Sequence, residues 1–154
     1  MRKLLKTAIA VSILAYALNG AAQQQDRGKW EAANNTAASI TGDIAISDKK
    51  LTINFMGFVL APIRGLKPAE VSAVFDADAN GASSGALYRV NVPAERRFLH
   101  KNTLCGTEST QWMATYVAGK TLEVAFFSGE AEPVFTFEAI THSPNLCGTY
   151  TYAR

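Results

Sequence analysis

The two cysteines and the two histidines of this chain all fall within one eight-residue pattern that occurs twice. The pattern covers residues 100–107 and returns over residues 142–149, and each copy contains Leu-Cys-Gly-Thr. Thiols and imidazoles can form a disulfide bond or bind zinc. Because two thiols in an exported protein usually oxidise to each other, we predict a disulfide bond between Cys105 and Cys147. The alternative is a zinc site formed by these cysteines and the two histidines.

A second polar pattern, Asp76-Ala77-Asp78-Ala79-Asn80-Gly81, places oxygen ligands at alternate positions before a glycine. This spacing is typical of loops that wrap a calcium ion, because alternate side chains converge and glycine permits a sharp turn. The match to an EF-hand loop stops at Leu87, where a bidentate glutamate is required. We therefore hypothesise a weak calcium site at Asp76, Asp78 and Asn80, with a plain hairpin loop as the alternative. The sequence suggests no other cofactor.

The segment Ser84-Gly85-Ala86-Leu87-Tyr88 follows this loop. It resembles the Ser-Gly-x-x-Tyr loop of the periplasmic inhibitors of C-type lysozyme, which are small, exported, disulfide-bearing β-barrels. The resemblance implies that Ser84 addresses the catalytic carboxylates of a lysozyme, with Tyr88 in the same motif and Lys120 in a second loop. The family's second motif, Tyr-x-x-x-Thr-Lys-Gly, is absent, because Tyr116 is followed by Val-Ala-Gly-Lys-Thr. The sequence therefore does not assign the chain to that family.

Two common sequence signatures of enzymes are missing. The chain has no His-Glu-x-x-His motif and no phosphate-binding glycine loop. Ser128, which precedes Gly129, has no base near it in the sequence. We therefore expect that the protein is not an enzyme.

The N-terminus has the features of a secretory signal peptide. Three basic residues come first, an apolar run follows at 7–18, and small residues end the segment at Ala22. The run is too short to span a bilayer as a helix, so we expect no stable membrane insertion. We divide the chain into a signal peptide at 1–22, a disordered leader at 23–28 and one exported β-domain at 29–154. The expected location is the periplasm or the medium.

The charge of the chain gives no reason to expect nucleic acid or anionic lipid as a partner. The full sequence has 15 basic and 13 acidic residues. Removal of residues 1–22 takes away three basic residues and leaves 15 − 3 = 12 basic and 13 acidic residues. A net charge this close to zero provides no strong attraction to phosphate groups.

Alternation of apolar and polar residues with a period of two predicts an all-β fold. Residues 40–46 and 51–55 flank one turn, and residues 112–116 and 122–126 flank another. Further strands are predicted at 134–140 and 148–152. About eight short strands joined by tight turns favour a single antiparallel β-barrel or sandwich.

Three features leave parts of this fold open. Pro62 interrupts the apolar run at 55–63, which is therefore expected to cover the sheet and not to form a regular central strand. Pro68 and Pro93 each begin a segment typical of a first helical turn, so one short helix is compatible with the pattern. The adjacent rings at 126 and 127 must point to opposite faces of a strand, so one of them faces solvent, a cavity, a partner or a covering segment.

These observations favour a non-enzymatic binding module for a protein or a small apolar ligand. A periplasmic inhibitor of a C-type lysozyme-like hydrolase is the alternative, and an uncharacterised enzyme is the second alternative. A carrier of an apolar ligand needs a hollow interior, whereas a protein-binding domain needs an exposed recognition surface. A hollow barrel interior would therefore favour a ligand carrier, and a filled interior would favour a protein-binding domain.

Overall fold

The period-two pattern of the sequence corresponds to inward and outward alternation in a closed barrel. The computed structural model describes residues 25–80 and 85–154, and eight strands pair antiparallel in chain order, with β8 closing on β1. The strands are β1 (Gly28–Ala32), β2 (Ile44–Ile46), β3 (Lys50–Ile53), β4 (Met56–Leu66), β5 (Gly85–Val92), β6 (Thr110–Ala118), β7 (Thr121–Phe127) and β8 (Leu146–Ala153). The predicted all-β class is confirmed, and the architecture is the barrel. The predicted signal peptide lies outside the described residues.

The two predicted hairpins and the last predicted strand are present. β2 pairs with β3, and β6 pairs with β7 through the turn at Gly119. Gly119 has a φ of 60°, which glycine adopts without the steric strain of a side chain. Along β8, Tyr150 and Tyr152 point into the barrel and are buried.

Helices correct two of the predicted strands. Helix α1 (Asn35–Ile40) ends at the first residue of the strand expected at 40–46, which begins only at Ile44, and helix α3 (Phe137–Thr141) replaces the strand expected at 134–140. Each helix begins at a side-chain cap: Asn34 accepts a hydrogen bond from the N–H of Ala37, and Thr136 accepts one from the N–H of Ala139. These caps stabilise a helical start in both segments, against the β-propensity of their apolar residues.

The prolines have three different outcomes. Pro62 lies within β4 at a β-bulge, so the run at 55–63 belongs mostly to a barrel strand and is not a cover. Pro68 begins helix α2 (Pro68–Phe75), which confirms a helix there, and the carboxylate of Glu70 accepts a hydrogen bond from the N–H of Lys67 at its start. Pro93 begins no helix.

Hydrophobic clusters lie on both sides of the barrel wall. Phe126 points inward, with its ring 5.3 Å from that of Tyr150, whereas Phe127 points outward and packs 5.8 Å from the ring of Phe135. The outer cluster is covered by α2 and by residues 128–145, which we call the covering segment. Of the predicted alternatives, the structure shows a cover, but α2 and this segment provide it and not the run at 55–63.

Candidate functional site

The described part of the barrel interior is filled by side chains. Trp30, Leu51, Met113 and Phe126 each have 0% of their surface accessible to solvent. Carriers of apolar ligands surround the ligand with a preformed cavity, whereas these inward side chains pack against one another.

A buried carboxylate closes one end of the barrel. Asp26 is fully buried, although the sequence places it in the leader, and its Oδ2 accepts hydrogen bonds from Tyr88 and Thr115, each at 2.7 Å. Among the described residues its Oδ1 has no hydrogen-bond partner. Burial raises the pKa of Asp26, and the hydrogen bonds from Thr115 and Tyr88 oppose this rise. The backbone carbonyl of Asp26 accepts a hydrogen bond from the indole N–H of Trp30, which fixes the residues just before β1.

The cysteines and histidines have structural contacts. Cys105 and Cys147 lie with their sulfurs at bonding distance and their Cα atoms 4.9 Å apart. Nδ1 of His100 lies 3.1 Å from the carbonyl oxygen of Ser39, and Nδ1 of His142 lies 3.3 Å from that of Glu138. This geometry fits the predicted disulfide bond, and the described residues contain no group of three or more metal-binding side chains. The geometry therefore gives the alternative zinc site no support.

The hypothesised calcium loop follows helix α2. Asp76 ends the helix in the left-handed conformation with a φ of 53°, and Oδ1 of Asp78 accepts a hydrogen bond from the N–H of Asn80. Both aspartates and Asn80 are exposed. The rest of the pattern, from Gly81 onward, lies outside the described residues, so calcium binding at these three residues stays a prediction.

Two fixed residues of the Ser-Gly-x-x-Tyr segment have packing explanations. A Cβ atom on Gly85 would lie 2.5 Å from the carbonyl oxygen of Thr115, so only glycine fits this strand position. Tyr88 is 2% exposed and points into the barrel, where it is unable to contact a partner. Lys120 is exposed at the turn between β6 and β7, whereas Ser84 lies outside the described residues.

The covering segment contains a surface cleft of about 610 Å³. Ser128 and His142 both line it, together with Glu138 and Asn145. The hydroxyl of Ser128 points to the oxygens of Asn145 at 3.4 and 3.5 Å, and the ring of His142 contacts a backbone carbonyl. This arrangement brings the serine and the histidine to one cleft without a hydrogen bond between them.

The tip of the hairpin between β3 and β4 carries the most exposed aromatic ring among the described residues. Because Ile53 pairs with Met56, the turn consists of Asn54 and Phe55, with φ values of 47° and 65°. A two-residue turn with positive φ at both positions favours asparagine followed by glycine. Phe55 occupies the glycine position and is 100% exposed. A bulky residue in this backbone conformation is strained, and its ring gains no packing within the chain.

The exposed apolar surface continues along the outer face of β4. Val59 is 76% exposed and Ile63 is 45% exposed. With Phe55 they form what we call the hairpin surface. No helix or loop of the described chain covers these three side chains, whereas α2 and the covering segment bury the outer faces of β5 to β7. The barrel is therefore covered on one side and bare on the other.

A groove of about 570 Å³ borders the hairpin surface. Its lining includes the small residues Gly42, Ala45 and Thr52, and Phe55 itself. Two exposed residues of opposite charge on the outer face of β1, Lys29 and Glu31, lie on its rim; the other lining residues are Trp30, Thr41, Asp43, Ile44, Asn54 and Leu99. An exposed ring and a shallow hollow thus lie side by side.

Comparisons with protein-family models, with curated proteins and with solved structures find no match to this chain. Within residues 25–80 and 85–154, no helix is long and apolar enough to cross a membrane.

Sequence reasoning did not single out Phe55, because it assigned this residue to a continuing strand. A signal was present in the alternation. Inward residues occur at Leu51 and Ile53, and the pattern then resumes at Phe58 and Leu60. Regular alternation from Ile53 would place the odd-numbered residues inside, so the phase shift indicates a turn or a β-bulge between Ile53 and Phe58.

Proposed function

We propose that this protein is an exported, non-enzymatic domain that binds a protein partner through the hairpin surface of Phe55, Val59 and Ile63. The observation that carries the proposal is the fully exposed ring of Phe55 at a backbone position that favours glycine. Glycine would fit this turn with less strain, so the presence of phenylalanine is explained by a contact outside the chain. Burial of such a ring in an interface stabilises a complex by about 1.5–3 kcal/mol.

The rest of the molecule supports a protein partner over an enclosed ligand. The inner faces of the strands are occupied by buried side chains such as Trp30 and Phe126. The histidines bond to backbone carbonyls, which gives a catalytic base no support. Large apolar side chains exposed together on one face are typical of interaction surfaces.

Site-specific photo-crosslinking tests the proposal. A benzophenone amino acid is placed at position 55 in the producing cells, and a matched control carries it at position 137, because Phe137 is also an exposed phenylalanine at 76%. We expect a protein adduct from position 55 only. Excess wild-type protein should compete for this adduct, whereas the Phe55→Gly variant should not.

The adduct partner is then identified by mass spectrometry, purified and titrated against the variants. Loss of the Phe55 ring should weaken binding roughly 10- to 150-fold, since 1.5–3 kcal/mol corresponds to that range. Phe137→Ala should bind like the wild type. Equal competition by wild type and Phe55→Gly would contradict the proposal.

Inhibition of a C-type lysozyme-like hydrolase is the second candidate function. One observation favours it: Gly85 begins β5 opposite Tyr116, at the end of the barrel at which Lys120 is exposed. Against it, the barrel packing explains Gly85 and Tyr88 without a partner. We therefore expect that the purified protein does not inhibit lysozyme.

The Ser84→Ala variant separates the two candidates. If wild type does inhibit, removal of this hydroxyl should weaken inhibition roughly 5- to 150-fold, because an acceptor in the enzyme cleft loses its partner. Thermal stability should stay nearly unchanged in either case. Inhibition by wild type that is lost in Ser84→Ala would replace our proposal by the inhibitor.

A further inference from the structure

We infer that the protein bound at the hairpin surface is a second copy of this chain, so that two molecules form a two-fold symmetric dimer. This inference rests on the proposed function and names its partner. In the dimer, Phe55 of each molecule inserts into the groove of the other.

The protruding ring of Phe55 lies beside a groove on the same surface of the molecule. In a two-fold interface the same surface is used by both molecules, so one surface must carry each feature and its complement. Phe55 protrudes at the hairpin tip, and the groove beside it has a volume of about 570 Å³. Gly42, Ala45 and Thr52 place little or no side chain in the groove, which leaves room for a ring from outside.

Two opposite charges at the rim of the groove also suit a two-fold dimer. Lys29 and Glu31 are exposed on the same outer face of β1, since residues two apart in a strand share a face. A two-fold axis that passes between them places Lys29 of one molecule against Glu31 of the other, twice per dimer. Asp43 also lines the groove, but its carboxylate accepts a hydrogen bond from the N–H of Ala32 within the chain.

The net charge of the chain allows this association. Residues 25–154 contain 12 basic and 13 acidic residues, a net charge of −1 with neutral histidines. Two molecules with so small a charge repel each other weakly at long range. A self-complementary groove on a nearly neutral molecule fits a second copy better than it fits a strongly charged partner.

Sedimentation equilibrium of the full mature protein, from about 1 μM to 1 mM, tests the dimer. We expect dimers in the wild type and a dissociation constant raised roughly 10²- to 10⁴-fold in Phe55→Gly, because the variant dimer loses two buried rings, one from each groove. The matched control Phe137→Ala changes an exposed ring elsewhere and should dimerise like the wild type.

Charge reversal tests the two-fold geometry separately. Lys29→Glu and Glu31→Lys should each weaken the dimer, because each places like charges across the axis. An equimolar mixture of these two variants should form heterodimers, and the double variant with both changes should dimerise again. If these residues only stabilised the fold, mixing the two single variants would not restore dimerisation.

Three outcomes would overturn the inference. A wild type that stays monomeric throughout the range has no such dimer; if position 55 still forms a competed adduct with another protein, the proposed function survives and the second copy does not. A dimer that is insensitive to Phe55→Gly uses a different surface. A monomer with no specific adduct at position 55 contradicts both proposals.

Discussion

Phe55 places a large ring where the backbone favours glycine. The φ of 65° in a two-residue turn crowds the Cβ of any L residue against the backbone, which costs on the order of 1–2 kcal/mol. Its side chain recovers none of this free energy within the chain, because it is fully exposed. Stability and binding therefore place opposite demands on this residue.

We predict that Phe55→Gly raises the free energy of unfolding by about 1 kcal/mol, because the turn becomes Asn-Gly in its favoured conformation. Urea denaturation of the purified variant measures this change. The control is Phe55→Ala, which removes the ring but keeps the strained Cβ, and we expect it to have a stability close to that of the wild type. Equal stability of the glycine and alanine variants would show that the turn is unstrained.

Asp26 gives a second prediction at the scale of one residue. Its pKa in the folded protein is raised by burial above the usual value near 3.8. The folded state therefore binds a proton more tightly than the unfolded state, and stability falls as the pH rises from about 4 through the folded pKa. This contribution is fully favourable only at a pH below the unfolded value.

We expect the Asp26→Asn variant to lose this part of the pH dependence, because it does not ionise. The measurement is the free energy of unfolding at mildly acidic and at neutral pH in both proteins. The decrease toward neutral pH should be smaller in the variant than in the wild type. Other carboxylates titrate in both proteins, so an identical decrease would mean that Asp26 has an unperturbed pKa when folded.

At the scale of elements, Arg64 links β4, α2 and the covering segment. Its guanidinium donates two hydrogen bonds of 3.0 Å to Glu70 of α2 and one of 2.7 Å to Glu132 of the covering segment. It also lies 5.8 Å from the ring centroid of Phe135, which covers Phe127. Burial alone would raise the pKa of Glu70, but the hydrogen bonds from Arg64 hold it below its usual range.

We predict that Arg64→Ala loosens the covering segment without unfolding the barrel. Amide hydrogen exchange at residues 131–140 should become faster, while exchange in β6 and β7 should change little. The expected loss of global stability is about 1 kcal/mol, since these ion pairs are partly exposed. Arg64→Lys is the matched control, because it keeps the charge but is unable to bond both carboxylates in this geometry. Unchanged exchange at 131–140 would contradict this role.

The elements differ in how far their sequences determine them. β6 and β7 were predictable because two strand-like apolar segments flank the tight turn at Gly119. Both faces of β6 are buried, so the pattern did not show that Met113, and not Trp112, points inward. Helices α1 and α3 were not, because a single capping side chain, Asn34 or Thr136, outweighed apolar periodicity over a few residues.

The buried Asp26 cluster and the hairpin surface were harder to predict, because both depend on contacts between residues distant in sequence. The hydrogen bond between Tyr88 and Asp26 joins residues 62 positions apart, and no local pattern indicates it. The bare outer face of β4 becomes visible only when the positions of α2 and the covering segment are known. By contrast, the pairing of the cysteines followed from their number and from the expected export.

At the scale of the whole molecule, the barrel has unequal sides. Helix α2 and the covering segment bury the outer faces of β5 to β7, and the hairpin surface lies on β4 without a cover. A second molecule docked at the bare side would complete the coverage of the barrel. This asymmetry agrees with the dimer. It also explains why the control substitution, Phe137→Ala, is placed on the covering segment.

The link between Cys105 and Cys147 acts on the stability of the whole barrel. It ties the connection between β5 and β6 to the start of β8 and closes a loop with a sequence separation of 42. In the chain-entropy model, a loop of this length lowers the entropy of the unfolded chain enough to stabilise the fold by about 4 kcal/mol. That is a large fraction of the stability of a domain of this size, which is on the order of 5–15 kcal/mol.

We predict that the double variant Cys105→Ala, Cys147→Ala unfolds with a free energy about 4 kcal/mol lower than that of the oxidised wild type. Chemical denaturation measures the difference, and thiol titration of the denatured wild type should find no free thiol. Wild type measured in reductant is the control, since it lacks the bond but keeps both side chains, and it should lose a similar amount of stability. Neither cysteine belongs to the hairpin surface or lines the groove, so the variant should still dimerise wherever it remains folded. Two free thiols in the denatured wild type, or equal stability with and without reductant, would show that the cysteines do not form this bond in the purified protein.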